Sequence, residues 1–395
     1  GPVSEAEKDQ RRAAARLTVA AGCALGAFDG AALVGSARYL DLRQWWHGRP
    51  LPMAGVAGVK VAPHEQGRGL GRLLMTAVLE QTAERGYPLS ALFPATASLY
   101  RSLGWELAGG RYEVAVPTRS VRALLKPDPA VGAGAGGPVA AEAGAGRTGP
   151  GGPAPGPAGS VFRPAGPADA SEVIDVLSRL HAAGTGCGPV TFDEGQLALA
   201  LAGDVYLYLA PDGVLGYRWD TASDEVHVYW AAAGSAATTR AMWSIVSSHR
   251  TIVRGVRAVV SPDNPVTWLT AEPDVTLTRA EQWMLRLLDA PAAVAGRGFP
   301  PGASLSVPLA VTDSQLPGNS GHWQLEVSRG AAALTPARPG SGAALRLGAR
   351  GLAALYAGTP LATLRLAGLA AGGTPDADAA LDAAFTATPY MTDSF

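Results

Sequence analysis

Val56-Ala-Gly-Val-Lys-Val61, Ala62-Pro63-His64-Glu65, Gln66-Gly-Arg-Gly-Leu-Gly71 and Arg72-Leu-Leu-Met-Thr-Ala-Val-Leu79 form one uninterrupted run. It reads as strand, short loop and helix. Val56, Val59 and Val61 are β-formers, and Pro63 ends the strand because it cannot donate to a ladder. From Leu70 the apolar residues fall at 70, 73, 74, 77 and 78, the spacing of one helix face. Between the two elements stand Gly67, Gly69 and Gly71. Glycine lets the chain turn sharply and lets a ligand approach the backbone. The first helical turn presents unpaired N–H groups and the positive end of the helix dipole, so a phosphate group suits this place. Arg68 and Arg72 add formal positive charge.

Two other phosphate motifs are excluded. No Gly-Lys-Ser/Thr closes the run, so it is not a P-loop. Gly67 and Gly69 fit the first two places of a dinucleotide fingerprint, but Arg72 stands at the third.

The 395 residues are enough for two or three domains. Charge is nearly balanced, 32 Lys and Arg against 33 Asp and Glu, which argues against a nucleic-acid footprint. Cys23 and Cys187 lie far apart, so a disulfide scaffold is not expected and a reducing, cytoplasmic setting is. No apolar run is long enough to span a membrane. No signal peptide is seen, and Gly1-Pro2 reads as the remnant of a protease cleavage, which leaves room for a processed segment before it. The six histidines, at 47, 64, 181, 227, 249 and 322, show no metal-ligand spacing, so no metal is expected.

Residues 4–16 read as a charged, alanine-rich helix. Leu25–Phe28 and Leu33–Leu42 read as two strands joined at Asp29-Gly30. Beyond the opening run, Leu89–Phe93 is a short buried strand, Ser98–Leu103 a brief helix stopped by Gly104, and residues 105–108 and 112–116 further strands. A first domain over 1–120 follows. Eighteen of the 33 residues 127–159 are Gly or Pro, so 121–160 is expected to be a mobile linker. A second domain, 161–290, opens with a helix capped by Asp169 and carrying Val173, Val176, Leu177 and Leu180 on one face. Strands are expected at Val205–Leu209, Val214–Trp219 and Glu225–Trp230, then a helix from about Thr239 to Ser248. This repeats the order of the first domain, but Ala231–Thr238 has one glycine and no arginine. The second copy is therefore expected not to hold a cofactor. From 291 to 395 the pattern changes: Ser304–Val311, Trp323–Val327 and Ala343–Leu347 alternate as half-buried strands, and Leu352–Tyr356 and Ala377–Phe385 read as helical.

The opening run resembles the acetyl-CoA loop of the GCN5-related N-acetyltransferases. Their pattern is Gln/Arg-x-x-Gly-x-Gly/Ala, and Gln66, Gly69 and Gly71 occupy its fixed places, with the family's strand before and helix after. That family usually begins with one more strand and helix than this chain has room for. An intact copy, a degenerate copy and a mixed third domain resemble one subfamily over nearly the whole chain, the Eis-type aminoglycoside N-acetyltransferases with a sterol-carrier-protein-like C-terminal domain. Supporting stretches are Tyr39-Leu-Asp-Leu42, Val59-Lys-Val-Ala-Pro63, Gly86-Tyr-Pro-Leu-Ser-Ala-Leu92, Leu99-Tyr-Arg-Ser-Leu-Gly-Trp105, Leu381-Asp-Ala-Ala-Phe385 and the closing Phe395. One departure stands out: Eis proteins often read Arg-Arg-Arg-Gly-Leu-Leu at the loop, whereas Gln66-Gly-Arg-Gly-Leu-Gly71 is nearer the general pattern. The implied fold class is α+β, tandem acetyltransferase domains followed by a carrier-like domain whose tail enters the active site.

The resemblance implies these roles. Val59, Lys60 and Val61 pair by backbone with the pantetheine arm of acetyl-CoA. Gly67, Arg68, Gly69, Leu70, Gly71 and Arg72 hold its pyrophosphate, and Ala95 and Thr96 line it near the thioester. Tyr100 is the general acid and the carboxylate of Phe395 the base. A homohexamer built from trimers is implied as well. A thiol has a pKa of about 8.5 and a phenol about 10, so a tyrosine can protonate a departing sulfur; Tyr100 also reads simply as a core ring. An α-carboxyl of about 3.5 is a poor base for an amine of about 10, unless burial and neighbouring cations move both values or water relays the proton. Attracting and orienting a cationic amine suits the carboxylate better. The tail ends in Tyr390, Met391 and Phe395, poor residues for a frayed end, and Asp393 adds a second negative charge. Trp45, Trp46 and His47 are expected in a loop, where the rings either stack on a substrate or pack. Three functions stay open: an acetyltransferase for aminoglycosides and similar polycationic amines, one for protein lysine or polyamines, and a non-catalytic acyl-CoA-binding scaffold. None needs nucleic acid or a membrane.

Overall fold

The computed structural model describes residues 5–122, 124, 161–220, 222–248, 253–339 and 344–395. The expected linker 121–160 lies almost wholly outside them. Two compact units are present. The first joins residues up to Gly110 with His181–Asp193 and Glu281–Phe395, so it takes a piece from the middle of the segment 161–290.

In this unit helix α1 (Glu5–Ala20) precedes β1 (Ala24–Asp29), β2 (Ala32–Trp46) and β3 (Arg49–Val61). Helix α2 (Leu70–Glu84), β4 (Leu89–Leu92), helix α3 (Ala97–Ser102) and β5 (from Glu106) follow. β1, β2 and β3 are antiparallel neighbours, and β4 joins β3 in parallel. Residues alternate between two faces, as a strand requires. Tyr39, Ala54, Val56 and Leu92 face Leu74, Met75, Val78 and Leu79 of α2. Leu42, Met53, Leu89 and Ala91 join a second core with the C-terminal segment. That segment contributes a five-stranded sheet in the order Ala331–Pro336, Gly321–Ser328, Leu305–Thr312, Leu345–Gly348, Ala370–Gly372. Leu325, Leu345, Leu355, Leu361 and Phe385 are among its buried side chains.

Strands β2 and β3 run further than their sequence suggests. Pro50 and Pro52 break the pattern at the start of β3, yet they are two apart and precede Met53, where the ladder to β4 begins. Their missing N–H groups therefore fall on one side, before a neighbour needs them. His47 and Gly48, with φ of 46° and 76°, make the two-residue hairpin turn that needs positive φ twice. Trp45 and Trp46 thus end a strand and do not sit in a loop. The strand Cys187–Phe192 pairs with β2 from Leu42 to Trp46. Its Gly188 and Pro189 hide it from pattern reading.

The second unit holds Arg111–Leu180 and Glu194–Ala280 where described. Its strands Arg163–Ala165, Tyr206–Ala210, Gly213–Asp220, Glu225–Ala233 and Gly255–Val260 lie in that order, with Tyr112–Pro117 of β5 last. Gly255–Val260 is absent from the sequence reading. Phe162, Tyr208, Leu215, Val226, Trp243 and Val256 lie in its core. Asp169 does not cap the long helix directly. It ends a 3-10 turn, Pro167–Asp169, and its carboxylate accepts from Gly166 N–H at 2.8 Å.

One buried ion pair fixes the end of α3. Arg286, 1 % exposed, donates from Nη2 to Asp313 Oδ1 at 2.7 Å and from Nε to Leu103 O at 3.1 Å. Asp313 also accepts from Gln315 N–H, Leu316 N–H and Asn319 Nδ2. Removing one partner strands the other charge in the interior. Arg286→Met is therefore expected to lower the unfolding free energy by about 3–5 kcal/mol, read from urea transitions. A loss below about 1 kcal/mol would mean that Asp313 is satisfied without it.

Candidate functional site

The site begins where β3 and β4 part. Their ladder pairs Met53–Val56 with Leu89–Leu92 and stops. Gly58 has φ of 60°, and the β2–β3 register shifts opposite it, between Ser36 and Arg38. This is a bulge, which bends a strand out of its ladder. Val59, Lys60 and Val61 continue along β2 with Val59 and Val61 half-buried and the Lys60 side chain exposed. The other chain leaves β4 at Phe93, passes Ala95 and reaches Thr96, the residue that precedes α3. Two backbone segments thus diverge from one point.

The loop ahead of α2 is open. Gly67 and Gly69 have φ of 84° and 78°, values that only glycine adopts freely. A Cβ at either position would meet nothing within 4 Å. Gly69 is the N-cap, and no side chain caps the helix. Leu73 N–H is the first to bond back, to Gly69 O, so the amides of Leu70, Gly71 and Arg72 lack intrahelical partners. Arg68 pairs with Glu65 and, at 3.7 Å, with Asp29. Arg72 Nη1 donates to Ser102 Oγ at 2.9 Å, tying α2 to α3. These amides fit a diphosphate, and the edge of Val59–Val61 fits an amide-bearing arm.

In the second unit the corresponding turn is closed. Ser235 Oγ accepts from Thr238 N–H at 3.2 Å, and Asp212 accepts from Thr238 Oγ1 and, through its carbonyl, from Gly234 N–H at 2.7 Å. A carboxylate already stands at that helix start.

Tyr100 lies in the first turns of α3, 6 % exposed, with its ring edge-on to Trp105 at 6.5 Å between centroids. Burial pushes its phenol above the ordinary value, so it stays protonated through the neutral range.

The tail comes to the same sheet. After the helix Pro375–Phe385, Pro389 O accepts from Gly110 N–H, Tyr390 N–H donates to Cys187 O, and Met391 N–H donates to Gly110 O, all at 2.9–3.1 Å. Met391 is fully buried. The Phe395 ring sits 5.8 Å from that of Phe93, at the point of divergence. Glycines line this track. A Cβ on Gly55 would lie 2.6 Å from Leu42 Cδ1 and 2.9 Å from Phe395 Cε2, one on Gly109 would overlap Pro389 O, and one on Gly188 would lie 2.6 Å from Tyr390 O. Asp393 is half-buried, its Oδ2 accepting from Thr392 Oγ1 at 3.1 Å.

The root of the tail is held by a residue that sequence reading passed over. Arg297 is fully buried and donates to Phe385 O at 3.2 Å and Gly298 O at 3.1 Å. Its guanidinium lies 4.8–5.6 Å from the ring centres of Trp46, Phe299, Tyr356 and Phe385. No carboxylate pairs with it among the described residues. His47 Nε2 lies 3.1 Å from Thr386 O and, since a carbonyl only accepts, carries the hydrogen.

Trp45 and Trp46 are corrected here. Trp46 is wholly buried against Trp283 and Tyr356, with its N–H on Gln44 Oε1. Trp45 is buried, its N–H on Thr191 Oγ1 and its ring beside His181. They also pair with Arg49 and Pro50, at the far end of β3. Six residues of strand, about 20 Å, separate Arg49 from Gly55. Neither ring offers a stacking surface.

Comparison with known proteins fits this geometry. Acetyltransferase (GNAT) domain models match residues 3–108 and 195–287, and a sterol carrier protein domain model matches 290–392. A GCN5-related N-acetyltransferase from Kribbella flavida is 40% identical, with a TM-score of 0.86, over 100% of this chain and 93% of that one. The chain belongs to the GCN5-related N-acetyltransferases, of the Eis type. It resembles N-acetyltransferase Eis of Mycobacterium bovis (strain BCG / Pasteur 1173P2), 28% identical over 79% of this chain and 73% of that protein. Eis1 from Mycobacterium abscessus shares the fold at 23% identity and a TM-score of 0.71, over 94% and 90% of the two chains. The protein is thus an N-acetyltransferase enzyme with two acetyltransferase domains and a carrier-like domain, and enzymes of this family use acetyl-CoA.

The seat of Phe395 leaves no room for one methyl group. Gly55→Ala is expected to keep the fold, at a cost of about 1–3 kcal/mol for overpacking, while lowering kcat at least tenfold through the displaced tail. An unchanged kcat, with stability reduced, would mean that the tail's position does not matter to turnover.

Proposed function

We propose that this enzyme transfers the acetyl group of acetyl-CoA to amines of aminoglycosides or similar polycationic molecules, and that its own C-terminus completes the site. The supporting observation is the Phe395 ring at the divergence of β3 and β4, beside the backbone edge where a pantetheine arm fits. Acetyl-CoA supplies an activated acyl group as a thioester. Val59, Lys60 and Val61 bind its arm by main-chain bonds, and their N–H groups stabilise the oxyanion. Gly67–Arg72 hold the pyrophosphate on unpaired amides. Ala95 and Thr96 line the reacting end. As the amine nitrogen bonds to the carbonyl carbon and the C–S bond breaks, Tyr100 gives its proton to the sulfur. A phenol with a raised pKa keeps that proton until needed and recovers it from solvent. The Phe395 carboxylate, with Asp393 near it in the chain, draws in the cationic amine; one proton leaves its nitrogen before attack and a second after the C–N bond forms, each through that carboxylate or through water. The same resemblance supports a homohexamer as the assembly.

The reading with protein lysine or a polyamine as acceptor keeps every one of these roles, so the acceptor must be measured. Thiol release from acetyl-CoA is expected to be fast with kanamycin and slower with spermidine or a lysine peptide. Deleting Phe395 should lower kcat at least 100-fold with the fold intact by circular dichroism. Tyr100→Phe should lower kcat by about 10²–10⁴ with acetyl-CoA affinity within twofold of wild type. No release above background with any amine would leave only the non-catalytic scaffold. Equal turnover without Phe395 would remove the carboxylate from the mechanism.

A further inference from the structure

A cleft of about 250 Å³ lies between the end of α3 and the helix Ala349–Tyr356. Arg101, Ser102, Asp313, Gln315 and Arg350 help line it. Its charge is unbalanced. Arg101 Nε donates to Glu106 Oε1 at 2.9 Å, and Arg350 Nε donates to Oε2 of the same carboxylate at 2.6 Å. Glu106 also accepts from Leu107 N–H at 2.9 Å. Burial works to raise this carboxyl, but the bonds from Leu107, Arg101 and Arg350 outweigh it and hold it below the ordinary range, so it is ionised. Asp313 is already matched by Arg286. Two guanidinium groups therefore share one carboxylate. Glu106 is buried, whereas the Arg101 and Arg350 side chains are 38 % and 39 % exposed and keep donors for something else. A guanidinium fork suits a phosphate. The cleft is also wired to the loop, because Ser102, which lines it, accepts the hydrogen bond of Arg72.

We propose that this cleft binds a phosphate monoester group, held between Arg101 and Arg350. Two carriers present that chemistry, the 3′-phosphate of the cofactor's ribose and a free phosphorylated metabolite. The first rests on the acetyl-CoA reading above, and the second does not.

Titration calorimetry of the full chain with acetyl-CoA, 3′-dephospho-acetyl-CoA and inorganic phosphate separates them. If the cofactor carries the group, wild type binds the dephospho compound at least tenfold more weakly, and Arg350→Ala binds both compounds alike. If a free metabolite does, wild type binds the two cofactors equally and binds inorganic phosphate, and Arg350→Ala loses the phosphate. Glu106→Gln frees both guanidinium groups and is expected to tighten whichever interaction is present about tenfold, a gain that misfolding cannot produce. The inference is overturned if wild type does not bind inorganic phosphate and its preference for the 3′-phosphate is absent or survives in Arg350→Ala. It is also overturned if Glu106→Gln tightens nothing. Failure of wild type to bind acetyl-CoA at all would instead count against the proposed function, leaving the phosphate arm intact.

Discussion

Strands β3 and β4 pair for four residues and then separate. An unfilled wedge between two strands is costly, because backbone groups left without partners lose a hydrogen bond each. Gly58 takes up the bend through its positive φ, and β2 keeps β3 paired on the other edge through Val61. The open edge therefore faces the wedge alone. The chain leading to α3 starts at that opening, and the last ring of the tail sits beside it. In the second unit Glu225–Ala233 and Gly255–Val260 also pair for four residues and part, but the helix start that follows is closed. There Asp212, Ser235 and Thr238 satisfy one another at the helix start.

The tail is held by main-chain bonds and close contact rather than by ion pairs. Three glycines let the main chain and the last ring approach where any side chain would collide. At its root stands Arg297, a cation that no carboxylate pairs among the described residues. Burying a charge alone is strongly unfavourable. Here the guanidinium meets two carbonyls, one of them at the negative end of the helix Pro375–Phe385, and four aromatic faces, each worth about 0.5–2 kcal/mol. Those same contacts fix the direction in which the chain leaves the helix. The stabilisation of the tail and the direction of its exit are thus one interaction.

Much of this was legible in the sequence. The valines at 56, 59 and 61, the proline at 63, the three loop glycines and the apolar spacing from Leu70 specify strand, open turn and helix by local rules alone. What was missed depends on contacts far apart in the chain. Strand Cys187–Phe192 carries Gly and Pro because β2 and the tail lie against it. Gly55 and Gly109 fall just outside the strands read at 56–61, 105–108 and 112–116, and nothing near them in sequence announces Phe395 or Pro389. Trp45 and Trp46 read as a loop because Pro50 and Pro52 interrupt the next strand. Arg297 gave no signal, as an arginine near a glycine usually belongs to the surface.

The account is tested most directly by hydrogen exchange with and without millimolar acetyl-CoA, resolved by peptide. Protection is expected at residues 59–61 and 67–72, and none at 234–239, where the second helix start is closed by its own side chains. Exchange at 67–72 that acetyl-CoA leaves unchanged, or protection centred on 234–239, would contradict it.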